Sequence, residues 1–295
     1  MSSSIRGILL AGGRGTRLYP LTEVASKQLQ PIYNKPMIYY PLTTLLLAGV
    51  REVLIISSPE DTPRFRSLLG DGSQWGIVLE YAVQDEPRGI AEALIIGEQF
   101  LGDATAMLML GDNLIYGRLD FLRTAIAQNG DGATIFGYEV ADPTSYGVVE
   151  FDKQGQVLSL EEKPAQPKSH WAVPGIYVYG PGVAAKARAV EPSPRGELEI
   201  TDLNKAYLAA GQLRALPMGR GIAWLDTGTP ENLLEASQFV HTLESRQGLY
   251  VGCPEEAAFR AGFLDTDGLQ KAAERCPKSS TYRAYLERLV REARA

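Results

Sequence analysis

Ile5-Arg6-Gly7-Ile8-Leu9-Leu10-Ala11-Gly12-Gly13-Arg14-Gly15-Thr16-Arg17-Leu18 decides how the rest of the chain reads. Its first half, Ile5–Ala11, reads as a strand that ends in the apolar run Ile8–Ala11. Its second half puts three glycines into four positions directly after that strand. Glycine accepts positive φ and has no Cβ, so such a loop turns sharply and brings its N–H groups against a ligand. That is how a chain cradles phosphate oxygens. An isolated glycine cluster is more often a plain tight turn. The loop is not a Walker A sequence, because no Gly-Lys-Ser/Thr follows, and Leu18 stands where GxGxxG needs its last glycine. Charge shifts the balance. Arg17 and Lys27 place cations just beyond the loop in a chain whose net charge is −6.

Outward from this loop, Val53–Ser57, Val78–Val83, Ala106–Leu110 and Ala133–Tyr138 read as further strands. Pro36–Ala48, Thr62–Leu69, Ile90–Phe100 and Leu119–Gln128 read as the helices between them. This alternation predicts an α/β fold, a Rossmann-like mostly parallel sheet flanked by helices. Ligands in such sheets sit beyond the carboxyl ends of the strands, where Gly12–Pro20 and Gly111–Tyr116 read as loops. The middle of the chain is β-rich, with strands expected at Tyr146–Phe151, Val157–Glu161 and Trp171–Tyr179. Helices at Pro181–Val190 and Glu199–Ala209, strands near Leu213–Pro217 and Ala223–Leu225, and a long helix at Pro230–Leu243 follow. Beyond Tyr250 the pattern is helical. Tyr282, Tyr285, Leu286, Leu289 and Val290 make one apolar stripe, read first as a helix packed on its own core and second as a subunit contact.

At 295 residues the chain can bury a core without staples. Cys253 and Cys276 have neither CxxC nor zinc-ribbon spacing and read as free thiols of a reducing compartment. The N-terminus lacks the pattern of a signal peptide, and no apolar stretch reaches the ~20 residues that span a bilayer. A cytoplasmic protein with no membrane association is expected. The acidic balance argues against a nucleic-acid surface, which needs a basic stripe. Asp112 and Asp226 each stand just past an apolar strand. Alone either is a turn or cap residue, but together they suit Mg²⁺, which takes one or two carboxylates plus substrate phosphates. Asp112-Asn113-Leu114 lacks the second acid of the DxD of metal-dependent glycosyltransferases, which makes that class a runner-up.

Leu10–Leu18, with Pro20, Thr22 and Lys27-Gln28-Leu29-Gln30-Pro31, resembles the signature of the sugar nucleotidylyltransferases. Gly111-Asp112-Asn113, Tyr146-Gly147-Val148-Val149 and Glu161-Glu162-Lys163-Pro164 extend the resemblance. So do Ser193–Asp202 and Trp224–Thr229, and the fuller pattern is similar to the thymidylyl-transferring members of the family. Gln30 and Glu92 depart from it, standing where an apolar residue and a glutamine are expected. The resemblance implies transfer of a thymidylyl group from dTTP to glucose 1-phosphate, with Mg²⁺, giving dTDP-glucose and pyrophosphate. A UTP-preferring enzyme and a non-catalytic sugar-nucleotide sensor are the alternatives. It implies a nucleotidyltransferase core over residues 1–250, with nucleotide binding in 1–140 and sugar-phosphate binding in 141–228. A C-terminal helical segment, 251–295, would serve interface or regulation.

By the same resemblance Arg17 and Lys27 hold the triphosphate and departing pyrophosphate, and Lys163 and Arg195 hold the sugar phosphate. Gly12, Gly13, Gly15 and Thr16 form the phosphate loop. Gln84 with Gly89 reads the base, since an amide both donates and accepts along a pyrimidine edge. Glu162 accepts from sugar hydroxyls, and Tyr146, Gly147 and Val173 line the sugar pocket. Asp112 and Asp226 hold the metal. A homotetramer and feedback inhibition by dTDP-L-rhamnose, with Arg220 and Arg260 as candidate effector residues, complete the implied picture of a dTDP-deoxysugar pathway. The chemistry agrees with the residue types. A phosphate monoester has its second pKa at about 6, so the nucleophile is already a dianion and no general base is required. His170 and His241 are therefore expected in structural or surface roles. What the reaction needs is positive charge around two approaching anions.

Overall fold

A computed structural model describes residues 4–13 and 15–295, so Arg14 of the glycine-rich loop lies outside the described residues. The chain opens with β1 (Ile5–Leu10), a small hairpin of β2 (Pro31–Ile32) and β3 (Lys35–Pro36), and α1 (Tyr39–Leu47). Then come β4 (Glu52–Ser57), α2 (Thr62–Leu69), β5 (Val78–Val83), α3 (Glu92–Ile96), α4 (Glu98–Leu101) and β6 (Thr105–Leu110). β7 (Asn113–Tyr116), α5 (Asp120–Gln128) and β8 (Ala133–Glu139) lead into the middle strands β9 (Gly147–Phe151), β10 (Val157–Glu162), β11 (Trp171–Ala172) and β12 (Ile176–Tyr179). The remainder is α6 (Val183–Arg188), α7 (Ile200–Ala209), β13 (Leu213–Pro217), β14 (Ala223–Asp226), α8 (Pro230–Gln247), α9 (Pro254–Arg260), α10 (Thr266–Arg275) and α11 (Thr281–Arg294).

One ten-stranded sheet runs in the order β10-β9-β11-β8-β12-β6-β1-β4-β5, with β13 also paired to β8. The strands β6, β1, β4 and β5 are parallel, as the strand–helix alternation predicts, whereas β9–β12 join through antiparallel pairs. Both faces are covered. Leu9 faces a core with Leu42, Leu45 and Leu122, while Ile8 and Leu10 face another with Leu94, Leu203 and Tyr179. Each of these side chains is worth about 1.5–3 kcal/mol of burial. β1 and β6 pair in register up to Leu10 and Leu110, so the glycine loop and Asp112 leave the sheet side by side.

Four elements differ from their sequence expectation, each for a local reason. The helix expected from Pro36 starts only at Tyr39, because Lys35–Pro36 pairs with Pro31–Ile32 as β3. The helix expected over Ile90–Phe100 breaks at Gly97 into α3 and α4; a Cβ there would lie 2.6 Å from Ile8 Cδ1. The strand expected over Trp171–Tyr179 leaves the sheet at Val173-Pro174-Gly175, where proline lacks a donor and Gly175 N donates to Asn113 Oδ1 at 3.0 Å. Gly111–Tyr116 is a loop only at Gly111 and Asp112, because β7 forms an antiparallel ribbon with β14. In the C-terminal helices Tyr285, Leu286 and Val290 pack on Leu269 and Ala273, so the apolar stripe covers a core of its own. Cys253 and Cys276 are free thiols. Among the described residues no helix is long and apolar enough to cross a membrane.

Candidate active site

At the end of β1 the loop is tied down by hydrogen bonds from Ala11 N to Ile56 O at 2.8 Å and from Ser57 Oγ to Ala11 O at 2.8 Å. Gly13 has φ +96° and Gly15 φ +56°, the left-handed region that favours glycine. Lys27, on a single turn of 3-10 helix, donates to Asp112 Oδ2, and Asn113 Nδ2 donates to Oδ1 at 2.9 Å. The side chains of Lys27 and Asp112 are only 15% and 12% exposed. Burial alone would push the Asp112 carboxyl up; the Lys27 ammonium and the Asn113 amide outweigh it and hold the group below its usual value.

Asp226 reaches the same place from β14. Its register partner is Asn113, and Thr227 donates from N and Oγ1 to Asp112 O at 3.2 and 2.8 Å. Burial and the Asp112 charge push the Asp226 carboxyl up to about 6, against the pull of Lys27 and Arg17. Arg17 packs on Gly228, where a Cβ would stand 2.6 Å from Nη2 and 3.2 Å from Asp226 Oδ2. Two crowded carboxylates of which one resists ionising are a donor set that gains from a further positive ion. Among the described residues no group of three or more His, Cys, Asp or Glu is placed to hold a metal. The pair therefore fits a hard cation that draws its remaining oxygens from phosphate and water.

Farther along the cavity wall, Glu162 ends β10 and Lys163 follows with φ +43°, its N–H donating to Tyr146 O at 3.0 Å. A lysine in the left-handed region costs of order 1–2 kcal/mol, which the surrounding contacts must offset. Lys163 Nζ lies 3.3 Å from Glu162 Oε1, and Thr201 Oγ1 donates to Glu162 Oε2 at 2.5 Å. A Cβ on Gly147 would crowd Thr201 Oγ1, the donor to that oxygen, at 3.3 Å. Arg195 pairs with Glu199 at 2.7 Å and Glu197 at 3.2 Å.

One cavity of about 330 Å³ gathers Gly12, Gly13, Arg17, Gln84 and Gly89 with Asp112 and Asp226, and with Tyr146, Gly147, Glu162, Lys163, Val173 and Arg195. Gly15, Thr16 and Lys27 do not line it: Gly15 packs on Thr22, Thr16 is exposed, and Lys27 contributes through Asp112. His170 binds backbone carbonyls near Val140, and His241 packs edge-on to Tyr33. Sequence reasoning missed Gln28 and Thr201. Gln28 is 1% exposed, its Nε2 donates to Gly12 O at 3.2 Å, and its Oε1 has no partner among the described residues. Its place beside Lys27 was the available signal.

This fold and this site define a nucleotidyltransferase, and the chain belongs to the nucleotidyl transferase family, whose model matches residues 6–242. Members of this family generally use a divalent metal. The chain is 53% identical over 288 residues to a glucose-1-phosphate thymidylyltransferase of Xanthomonas campestris pv. campestris, covering 97% of each chain. To one of Mycolicibacterium smegmatis it is 53% identical over 290 residues, covering 98% of this chain and 100% of the relative. Within the family it is thus a member of the glucose-1-phosphate thymidylyltransferases. A solved structure from Bacillus anthracis, assigned to the same enzyme and holding sucrose, matches with TM-score 0.75 and 37% identity over 80% of this chain and 95% of that one.

Proposed function

We propose that the chain transfers the thymidylyl group of dTTP to α-D-glucose 1-phosphate. The carrying observation is the single cavity in which the glycine loop and Gln84 meet Glu162, Lys163 and Arg195 around two aspartates. An oxygen of the sugar phosphate attacks the α-phosphorus of dTTP in line, the bond to the β-phosphate breaks, and pyrophosphate leaves. Arg17 takes up charge on the triphosphate as it departs, Lys27 supports it from behind Asp112, and Lys163 and Arg195 hold the attacking phosphate. Glu162, fixed by Thr201, accepts from the sugar hydroxyls, and Tyr146, Gly147 and Val173 wall the sugar in. Asp112 and Asp226 would hold Mg²⁺, which would supply neutralisation of the phosphate charge. The names of the relatives do not favour UTP as the natural donor or a sensor without catalysis.

The test is a grid of nucleoside triphosphates against hexose 1-phosphates with Mg²⁺, following pyrophosphate. Release that is fastest with dTTP and glucose 1-phosphate, and lost on chelation, supports the reading; release with no combination removes it. One methyl separates thymine from uracil and is worth only about 1–3 kcal/mol, so some use of UTP or dUTP is expected.

The same reading places the protein in the cytoplasm as a homotetramer at the head of a rhamnose-type dTDP-deoxysugar pathway, inhibited by dTDP-L-rhamnose. A second cavity of about 450 Å³, lined among others by Tyr40, Tyr250, Cys253 and Arg260, is the candidate effector site. Arg260 is held to Glu256 at 2.7 Å; Arg220 does not line this cavity and is set aside. Kinetics insensitive to dTDP-L-rhamnose would remove this part.

A further inference from the structure

The glutamine read above as meeting the base has a fixed polarity, and the following rests on that reading. Gln84 is 6% exposed, and its Nε2 donates to Gly89 O at 3.2 Å and to Glu92 Oε2 at 2.7 Å. A backbone carbonyl and a carboxylate paired with a guanidinium both accept and do not donate. Both amide protons are therefore committed, and the two ends of the amide cannot exchange. The second oxygen of Glu92 accepts from Arg88 Nε at 2.7 Å. The backbone under this relay is pinned on Leu198: Leu198 N donates to Arg88 O at 2.8 Å and Ala91 N to Leu198 O at 3.1 Å. Gly89, at φ +104°, has Leu198 O only 2.4 Å from where a Cβ would stand. What remains is Gln84 Oε1. Among the described residues nothing donates to it, and it lies against Gly12, 3.1 Å from the position of a Cβ, on the wall that Gly12, Gln84 and Gly89 give the cavity.

We propose that Glu92, held by Arg88, is the positioning residue that sets base specificity. It points the carbonyl oxygen of Gln84 at the base, so the site takes pyrimidines with an N–H at N3 and turns away those with a lone pair there. Thymine and uracil carry the N–H. Cytosine carries the lone pair, which would leave two acceptors facing each other with neither satisfied. The relay also says why an acid serves where the family resemblance leads one to expect glutamine. Beside Arg88, an amide at position 92 turns its oxygen to the guanidinium and its NH₂ to Gln84, so that this NH₂ and Gly89 O make opposite demands on the Gln84 amide and its polarity is no longer fixed.

The experiment measures pyrophosphate release by the full chain with dTTP and dCTP at saturating glucose 1-phosphate and Mg²⁺. Glu92→Gln is expected to lower the dTTP-to-dCTP ratio of kcat/KM by about tenfold or more, with the change in KM for the nucleotide. The double variant Arg88→Asp with Glu92→Gln is expected to restore most of the ratio, because the new carboxylate takes the NH₂ of the substituted amide and turns its oxygen back to Gln84. A purely structural role for Glu92 would depress both substrates alike and would not be rescued. An unchanged ratio, or a double variant no better than the single one, overturns the proposal. A readout free of any variant is dTTP methylated at N3, expected to be used at least about tenfold less well by the unaltered enzyme; equal use overturns it too. A chain active on dTTP with an unchanged ratio in the variant loses only the role of Glu92, whereas a chain that releases no pyrophosphate from any triphosphate loses the proposed function as well.

Discussion

The two sides of the cavity hold their cations in opposite ways. Lys27 is 15% exposed and bound to a carboxylate 85 residues away in the chain, itself fixed by the Asn113 amide, while Thr227 holds the main-chain carbonyl of the same Asp112. Lys163 and Arg195 are 50% and 54% exposed and pair with Glu162 and Glu199, neighbours on their own segments. A near-buried pair across the sheet is set by folding and needs no rearrangement when charge develops. An exposed local pair is worth about 0–1 kcal/mol and can trade its carboxylate for a phosphate at little cost. On the proposed function, the nucleotide side would thus be built in advance, while the sugar side would be completed by its ligand.

That contrast can be broken or sharpened by substitution. Asp112→Asn strips Lys27 of its partner and halves the carboxylate pair; kcat for pyrophosphate release at saturating substrates is expected to fall by about 10³-fold or more. A fall under tenfold would mean the nucleotide side is not preorganised. Lys163→Ala is expected to cost about 10²-fold in kcat/KM for glucose 1-phosphate while the melting temperature stays near that of the parent, because the side chain is half exposed. Turnover that is unchanged removes the lysine from the reaction. Arg195→Ala should raise KM for glucose 1-phosphate by about tenfold and leave KM for dTTP alone, and an equal rise in both would place the arginine on neither side. Glu199→Gln loosens the hold on Arg195 and should lower KM for glucose 1-phosphate by about two- to threefold. If it instead acts like Arg195→Ala, the sugar side is as rigid as the nucleotide side and the contrast fails.

The nucleotide side was also the more legible in the sequence. Ile8–Ala11 is apolar throughout because both faces of β1 are covered, and the glycine loop that follows announces itself by composition. The sugar side was legible as motifs rather than as shape. Nothing in the composition of Asn113–Tyr116 told strand from loop, because its pairing partner β14 lies far along the chain, at Ala223–Asp226. Gly97 and Gly175 look like tolerated glycines until Ile8 and Leu110 are seen pressed against them. Gln28 stood inside a recognised motif, but its burial and unpartnered oxygen belong to tertiary structure alone. Glu92 looked like a departure from pattern until Arg88 and Gln84 were seen on its two oxygens.

The β7–β14 ribbon has a consequence for how the molecule proofreads itself. Asn113 Oδ1 takes hydrogen bonds from Trp224 Nε1 at 2.6 Å and Gly175 N at 3.0 Å, so one side chain locks the alignment of two short strands against the rest. Sliding the ribbon by a single residue would turn Asp226 to the opposite face and leave helix content, compactness and most of the interior untouched. Catalytic rate per milligram is then a finer gauge of correct assembly than any spectrum, and a preparation that looks native but works slowly points first to that alignment.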